Sequence, residues 1–570
     1  MKKVLSVYLK PYYGRMTIGF FIKFIGTILD LWLPWILAYM IDTIIPQQKR
    51  DRIYFWGLAM LVCSVLALVL SVLANRMASK VASDVTETLR HDLFARIMGL
   101  SNAQTDSLTK PSLIARLTTD TYNVHQMLGR IQRIGVRAPI LVIGGVVVTL
   151  TLDPVLTLVL LSVMPAIIFV TYYFSKKSIP MYTALQVSVD RFVRLLREDI
   201  AGIRVIKALS KMDYEKEKYD KINQEVVNHE KKANVTMAVV NPSMNMFLNL
   251  GLVFVVMVGA YRVDKGYSEV GKILAFLTYF TIILNAMINI SKMFVIISKA
   301  VASANRIAQV MDVPEDLLLQ VCERLAEDSA YICFDHVTFS YNKTEPNLED
   351  ISFSLQKGET LGIIGATGAG KSTIAALLMR FYDTDHGNIY IDGENIRAIP
   401  IETLRQKFGV VFQNDTIFEE SIAENVRMGR TLSEEAVQEA VVHAKAQEFV
   451  EEEGRGYENL IYIRGANLSG GQKQRILIAR ALAAKPDILV LDDASSALDY
   501  KTDAALRHEL TQYFTDSTKI IIAQRISSIM HADAVMVLEE GRIIGYGTHE
   551  TLLETCAVYR EIRESQMQEM

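Results

Sequence analysis

The sequence predicts a membrane all-α domain of six helices with long cytosolic helix extensions, followed by an α/β domain built around a phosphate-binding loop. Three observations predict this. Of 570 residues, 51% are hydrophobic and 22% charged, a mean too apolar for a wholly soluble chain and too charged for one wholly embedded in lipid. The two characters are segregated, because the long apolar runs stop near residue 300. Beyond that point short β-branched runs are punctuated by glycine, the pattern of buried strands in an α/β fold. A net charge of −3 implies neither a basic nor an acidic partner surface, and no nucleic acid. Cys63, Cys322, Cys333 and Cys556 show no metal-like spacing and read as reduced structural thiols.

A helix needs about 20 largely apolar residues to cross the hydrocarbon. Six stretches qualify, at about 16–41, 54–74, 136–152, 154–174, 238–261 and 271–291. The first apolar run, Met16 to Ile45, is too long for a signal sequence. Lys2, Lys3, Lys10 and Arg15 ahead of it hold the N-terminus in the cytosol. Asp153-Pro154 breaks the third span from the fourth. Asn75–Leu100 and Lys176–Lys232 keep helical spacing with almost no Pro or Gly, so they read as membrane helices continued into the cytosol. Each is expected to reverse at an elbow, one near Ser112–Asp120 and one near Glu198–Lys207. Six spans return the chain to the cytosol. The expected layout is a multi-pass protein of the cell (cytoplasmic) membrane: residues 1–310 in the bilayer part, 311–330 as linker, 331–570 as a cytosolic domain.

Polar residues inside spans are expensive and ask for a reason. Asn241, Asn245 and Asn249 form one stripe on the fifth span, and Asn285 and Asn289 another on the sixth. Interhelical hydrogen-bond glue and the wall of a polar cavity account for them equally well. Lys23, on one face with Asp30, is expected at the cytosolic interface.

In the second half, the buried strand Thr360–Ile364 runs into Gly365-Ala366-Thr367-Gly368-Ala369-Gly370-Lys371-Ser372, and Thr373 continues into a helical pattern. This is G-x-x-x-x-G-K-S in its proper strand-to-helix setting. Its backbone N–H groups and helix N-terminus suit phosphates. Lys371 would reach the β- and γ-phosphates of ATP and the Ser372 hydroxyl would hold Mg²⁺. A second strand, Ile488–Leu491, ends in Asp492-Asp493, which places Asp492 to hold the Mg²⁺ hydration shell.

Between these lies Leu468-Ser469-Gly470-Gly471-Gln472, which resembles the signature of ABC transporters. Other residues fall into the same register. Tyr341 stands where the adenine-stacking aromatic is expected, Gln413 resembles the Q-loop glutamine that meets Mg²⁺ through water, and Ser496-Ala497-Leu498-Asp499 resembles the D-loop. Glu198…Gly202–Lys207 and Ala302-Ser303-Ala304…Arg306-Ile307 resemble the second elbow and the sixth-helix exit of ABC exporters, so the likeness covers essentially the whole chain. It implies a half-transporter, an ATPase-coupled translocase that works as a dimer in which each signature closes on the partner's ATP.

The chain departs from the family pattern at one pocket. Asp493 replaces the usual Glu base, roughly 1.2–1.5 Å shorter in reach, and a misplacement of about 1 Å can cost around 10²-fold. Gln524, in Ala523-Gln524-Arg525, replaces the switch His and cannot carry its charge. The signature is intact. The resemblance therefore implies the impaired-site subunit of a heterodimer, slow at its own pocket, exporting amphipathic small molecules, lipids or peptides. The alternatives are a nucleotide-gated regulator or channel-like protein, and a homodimeric lipid flippase. Leu460-Ile461-Tyr462-Ile463-Arg464-Gly465 also departs from the family, with Ile463 where an acidic residue is common; no physical reason for it is evident.

Overall fold

The computed structural model describes residues 2–322, 330–452 and 456–568. The chain clusters into two compact units, residues 1–98 with 111–313, and residues 99–110 with 314–570. Residues 323–329 of the expected linker lie outside the described residues.

In the first unit, six helices among the described residues are long and apolar enough to cross a membrane: Ser6–Gln47, Arg50–Met98, Lys110–Leu152, Pro154–Phe174, Met212–Asp264 and Val270–Ile290. The expected extensions of the spans are continuous helix, Arg50–Met98 running 49 residues and Pro154–Ala201 running 48. Buried Leu31, Leu156, Phe276 and Tyr279 share one core, where the Tyr279 hydroxyl donates to the Leu31 carbonyl at 2.5 Å. The short connections are tied by carboxylates. Asp153 accepts from the backbone N–H groups of Val155 and Leu156 and pairs with Arg262 at 3.0 Å. Asp42 accepts from the N–H groups of Gly271 and Lys272, satisfying donors left open at the start of helix Val270–Met311.

Lys23 is buried between helices: it is 4% exposed, and its ammonium donates to Ser71 Oγ at 2.9 Å and Asn75 Oδ1 at 3.1 Å. Asp30 pairs with Arg137 at 2.9 Å instead. Neutral oxygens on a neighbouring helix take the ammonium, and hydropathy along one helix cannot register them. The first elbow comes earlier than Ser112–Asp120. The long helix ends at Met98, and Ser101 with Gln104 makes a capping box for a short helix, Asn102–Leu108. Residues 110–120 are helical, with a π turn at Arg116–Asp120 whose buried Asp120 pairs with Arg306. The second elbow falls where expected, at Gly202 and the short helix Ile203–Ala208.

The second unit carries two sheets. Strands β1 (Ile332–Phe339), β2 (Leu348–Leu355), β4 (His386–Ile391) and β5 (Glu394–Asn395) form an antiparallel sheet in the order β2-β1-β4-β5. Strands β3 (Thr360–Gly365), β6 (Phe408–Val411), β7 (Ile488–Asp492), β8 (Thr518–Ile522), β9 (Ala534–Glu539) and β10 (Arg542–Gly547) form the other, in the order β10-β9-β3-β8-β7-β6. β9, β3, β8, β7 and β6 are mutually parallel, and β3, β7 and β8 are almost wholly buried, as their continuous apolar runs require. Register pairs Ile363 with Ile522 and Asp492 with Ile522, so three strands end side by side. The loops leaving them build the site, as the crevice beyond the carboxyl ends does in open parallel sheets.

Candidate functional site

Gly365 leaves β3 where a Cβ would stand 2.1 Å from the Leu538 carbonyl oxygen, so only glycine fits against β9. Gly370 has φ +97° and caps the helix Lys371–Leu378. Between them Ala366, Thr367 and Gly368 are exposed at the loop's apex, and Ala369 is buried beneath. Lys371 folds back over the loop, its ammonium donating to the carbonyls of Gly365 and Ala366 at 2.8 Å each. Burial lowers its pKa from the usual lysine value, while Asp492 and Asp493 oppose that.

Asp492 closes β7 at 5% exposure and receives the Ser372 hydroxyl. Burial raises its carboxyl above the ordinary aspartate range, the Ser372 hydrogen bond lowers it, Asp493 raises it and Lys371 lowers it. A hydroxyl and a carboxylate beside a phosphate loop are the oxygen donors a hard divalent cation takes, so the residues fit Mg²⁺. Mg²⁺ when bound neutralises charge between the terminal phosphates. Tyr341 lies at the same site, its hydroxyl donating to Thr373 Oγ1 at 3.3 Å and its ring edge-on to Tyr382 with centroids 5.1 Å apart. Gln413 is exposed just past β6.

The two departures from the family pattern meet. Gln524 follows β8, and its carboxamide donates to Asp493 Oδ2 at 3.2 Å. Asp493 sits at φ +52° with its N–H donating to the Ile522 carbonyl. Burial pushes its carboxyl upward, against Lys371 and Arg525.

The signature lies at the start of the helix Gly470–Leu482, with Leu468 buried and Ser469 and Gly470 exposed. The Ser469 hydroxyl accepts from the Gln472 N–H, and Gln472 Oε1 accepts from the Ser469 N–H. This capping box leaves the hydroxyl's own proton available to an incoming anion. The helix belongs to a core with Val411, Phe449, Val450 and Leu498, separate from the core under the phosphate loop.

Gln474, which sequence reasoning passed over, joins signature to D-loop. Its Oε1 accepts from the Ala497 N–H at 2.8 Å and its Nε2 donates to Ser496 Oγ at 2.9 Å. Asp499 then caps the helix Tyr500–Tyr513. Tyr382 was passed over too; its hydroxyl donates at 2.7 Å to Asp106 on the first elbow helix, within the same unit. Neither carries a motif of its own.

In the membrane unit Asn245, Asn249, Asn285 and Asn289 are all exposed on their helices, and the Asn241 side chain lies outside the described residues. A cavity of ≈ 480 Å³ opens elsewhere, among Tyr13, Met16, Phe20, Ala74, Gln132 and Val136, and none of those four asparagines lines it.

Comparison with known proteins agrees with this geometry. Residues 16–287 match the family model for the ABC transporter transmembrane region, and residues 348–496 match the ABC transporter model. The uncharacterized ABC transporter ATP-binding protein YfiB of Bacillus subtilis (strain 168) is 33% identical over 99% of this chain and 98% of its own length. Rv1273c of Mycobacterium tuberculosis (strain ATCC 25618 / H37Rv), described in the same words, is 31% identical over the same shares. A solved bacterial Atm1-family ABC exporter with ATP bound superposes with a TM-score of 0.82 over 98% of both chains, at 24% identity, which is a likeness of fold.

Proposed function

The chain belongs to the ABC transporter family as an ATPase-coupled half-transporter of exporter fold, and from that premise we propose that it is the impaired-site subunit of a heterodimeric exporter of amphipathic small molecules, lipids or peptides. The observation that carries this reading is the hydrogen bond from Gln524 to Asp493. The residue standing for the general base is one methylene short, and a neutral amide occupies it where the family places an imidazole. Lys371, Ser372 and Asp492 keep what Mg-ATP needs. The pocket then grips nucleotide and turns it over slowly, while the exposed Ser469 is donated to the partner's competent site.

In this assignment Tyr341 stacks on adenine, residues 365–373 cradle the phosphates, and Gln413 and Asp492 hold the metal's shell. Asp493 is the weakened base. The exposed asparagines on the fifth and sixth spans face the translocation path or the partner chain, which suits an amphipathic substrate.

The test is the double reversion Asp493→Glu with Gln524→His, in a heterodimer whose other pocket has its base replaced by the amide. Turnover at this pocket is expected to rise by about 10²-fold, within the usual range for general-base catalysis. An unchanged rate sinks the impaired-site reading.

A further inference from the structure

After β8 the chain passes through Ala523-Gln524-Arg525 into the short turn Ile526–Ser528. The backbone on either side of Arg525 is held by one side chain from the far end of the sequence. Gln566 Nε2 donates to the Gln524 carbonyl at 2.7 Å, and Gln566 Oε1 accepts from the Ile526 N–H at 2.9 Å. A carboxamide has one donor and one acceptor edge, so it imitates a strand partner here and satisfies both backbone groups at once.

The helix that supplies it, Ala557–Gln568, is firmly seated. Its Tyr559 is fully buried in a cluster with Ile364, Ala523, Ile526 and Val537, and its hydroxyl lies 2.7 Å from His549 Nδ1. Ile364 is the residue before the first glycine of the phosphate loop. One cluster thus anchors the C-terminal helix, the strand feeding the phosphates and the segment bearing Gln524. Beyond the clamp, the Gln524 side chain turns to Asp493, and Arg525 stands close enough to favour that carboxylate's charged form.

We propose that Gln566 is a positioning residue for terminal-phosphate recognition: its carboxamide sets the switch backbone so that Gln524 addresses the γ-phosphate side of the pocket, and it thereby separates ATP from ADP. The proposal rests on Gln524 being the switch residue, as the proposed function has it. Gln566 touches no nucleotide itself. A fold-supporting role would weaken both nucleotides together, whereas a positioning role weakens the triphosphate alone.

The experiment uses the full-length chain in its dimer in detergent, with Mg²⁺, a non-hydrolysable ATP analogue and ADP as probes. Affinity at this pocket is read by photo-labelling, and amide exchange is followed at Ile526. Gln566→Leu, which removes both bonds, is expected to lower analogue affinity by about three- to tenfold, the worth of one or two hydrogen bonds, with ADP unchanged. The Ile526 amide should lose protection. Gln566→Glu keeps an acceptor for Ile526 but loses the donor to Gln524, and is expected to fall between. Gln524→Ala should lower the analogue-to-ADP ratio on its own, with Gln566→Leu adding nothing to it. Equal losses for both nucleotides, or an unchanged ratio alongside lost Ile526 protection, overturn the proposal. If Gln524→Ala leaves the ratio intact, the switch assignment falls and the proposal with it; if Gln524→Ala lowers the ratio and Gln566→Leu does not, the proposal falls alone.

Discussion

Burial pushes the Asp492 carboxyl above the ordinary aspartate range and brings the Lys371 ammonium below the ordinary lysine range. On acidification Asp492 therefore takes up its proton at higher pH than a free aspartate, whose value is about 3.9. On alkalinisation Lys371 releases its proton below the free value of about 10.4. Either event removes one charge that Mg-ATP requires, so nucleotide binding is expected to be bell-shaped, with both limbs drawn inward. Binding measured across pH at fixed Mg²⁺ checks this, and an acid limb that persists in Asp492→Asn would assign it to another group. Sterics decide Gly365 more simply. Its absent Cβ would lie 2.1 Å from a backbone carbonyl that β-sheet pairing holds still. Gly365→Ala is expected to destabilise the ATPase unit by about 1–3 kcal/mol, as overpacking does, read as a lower urea midpoint.

At the scale of elements, the first elbow helix Asn102–Leu108 is held by Tyr382, whose hydroxyl burial and the Asp106 carboxylate keep protonated well past the ordinary tyrosine value. It is a donor throughout the working pH range. Tyr382→Phe keeps the ring beside Tyr341 and deletes only that bond. Amide exchange across residues 102–108 is expected to speed several-fold, given about 1 kcal/mol for such a bond, with ATP affinity unchanged. The sequence made the phosphate loop, the signature and the end of β7 legible because each is a contiguous run whose chemistry is local. Gln474, Gln566 and Tyr382 were not legible. Their partners lie 23, 42 and 276 residues away, and a lone Gln or Tyr has no spacing to betray it. The early elbow was missed because Ser101 and Gln104 cap a short helix against a helical pattern that otherwise runs on. The partners of Lys23 were hidden for a related reason, since Ser71 and Asn75 belong to a different helix.

For the whole molecule, the proposed crossed arrangement predicts an asymmetry. Ser469→Ala should damage the dimer's ATPase rate more than Asp493→Asn does, because the first injures the partner's competent pocket and the second an already slow one. Equal losses would argue for two equivalent pockets, as would full activity from this chain alone. The six-span and ATPase parts were both evident from hydropathy and glycine punctuation, but their seam is not where the primary structure changes character. Residues 99–110 pack with the ATPase unit although the membrane unit's helices flank them in the chain. A recombinant soluble fragment beginning at residue 314 would therefore leave the Tyr382 hydroxyl and the carbonyl of Pro314 without the Asp106 and Gln104 side chains that engage them here. Supplying those twelve residues as a tethered peptide should raise the fragment's melting temperature, which makes the piece to express a discontinuous one.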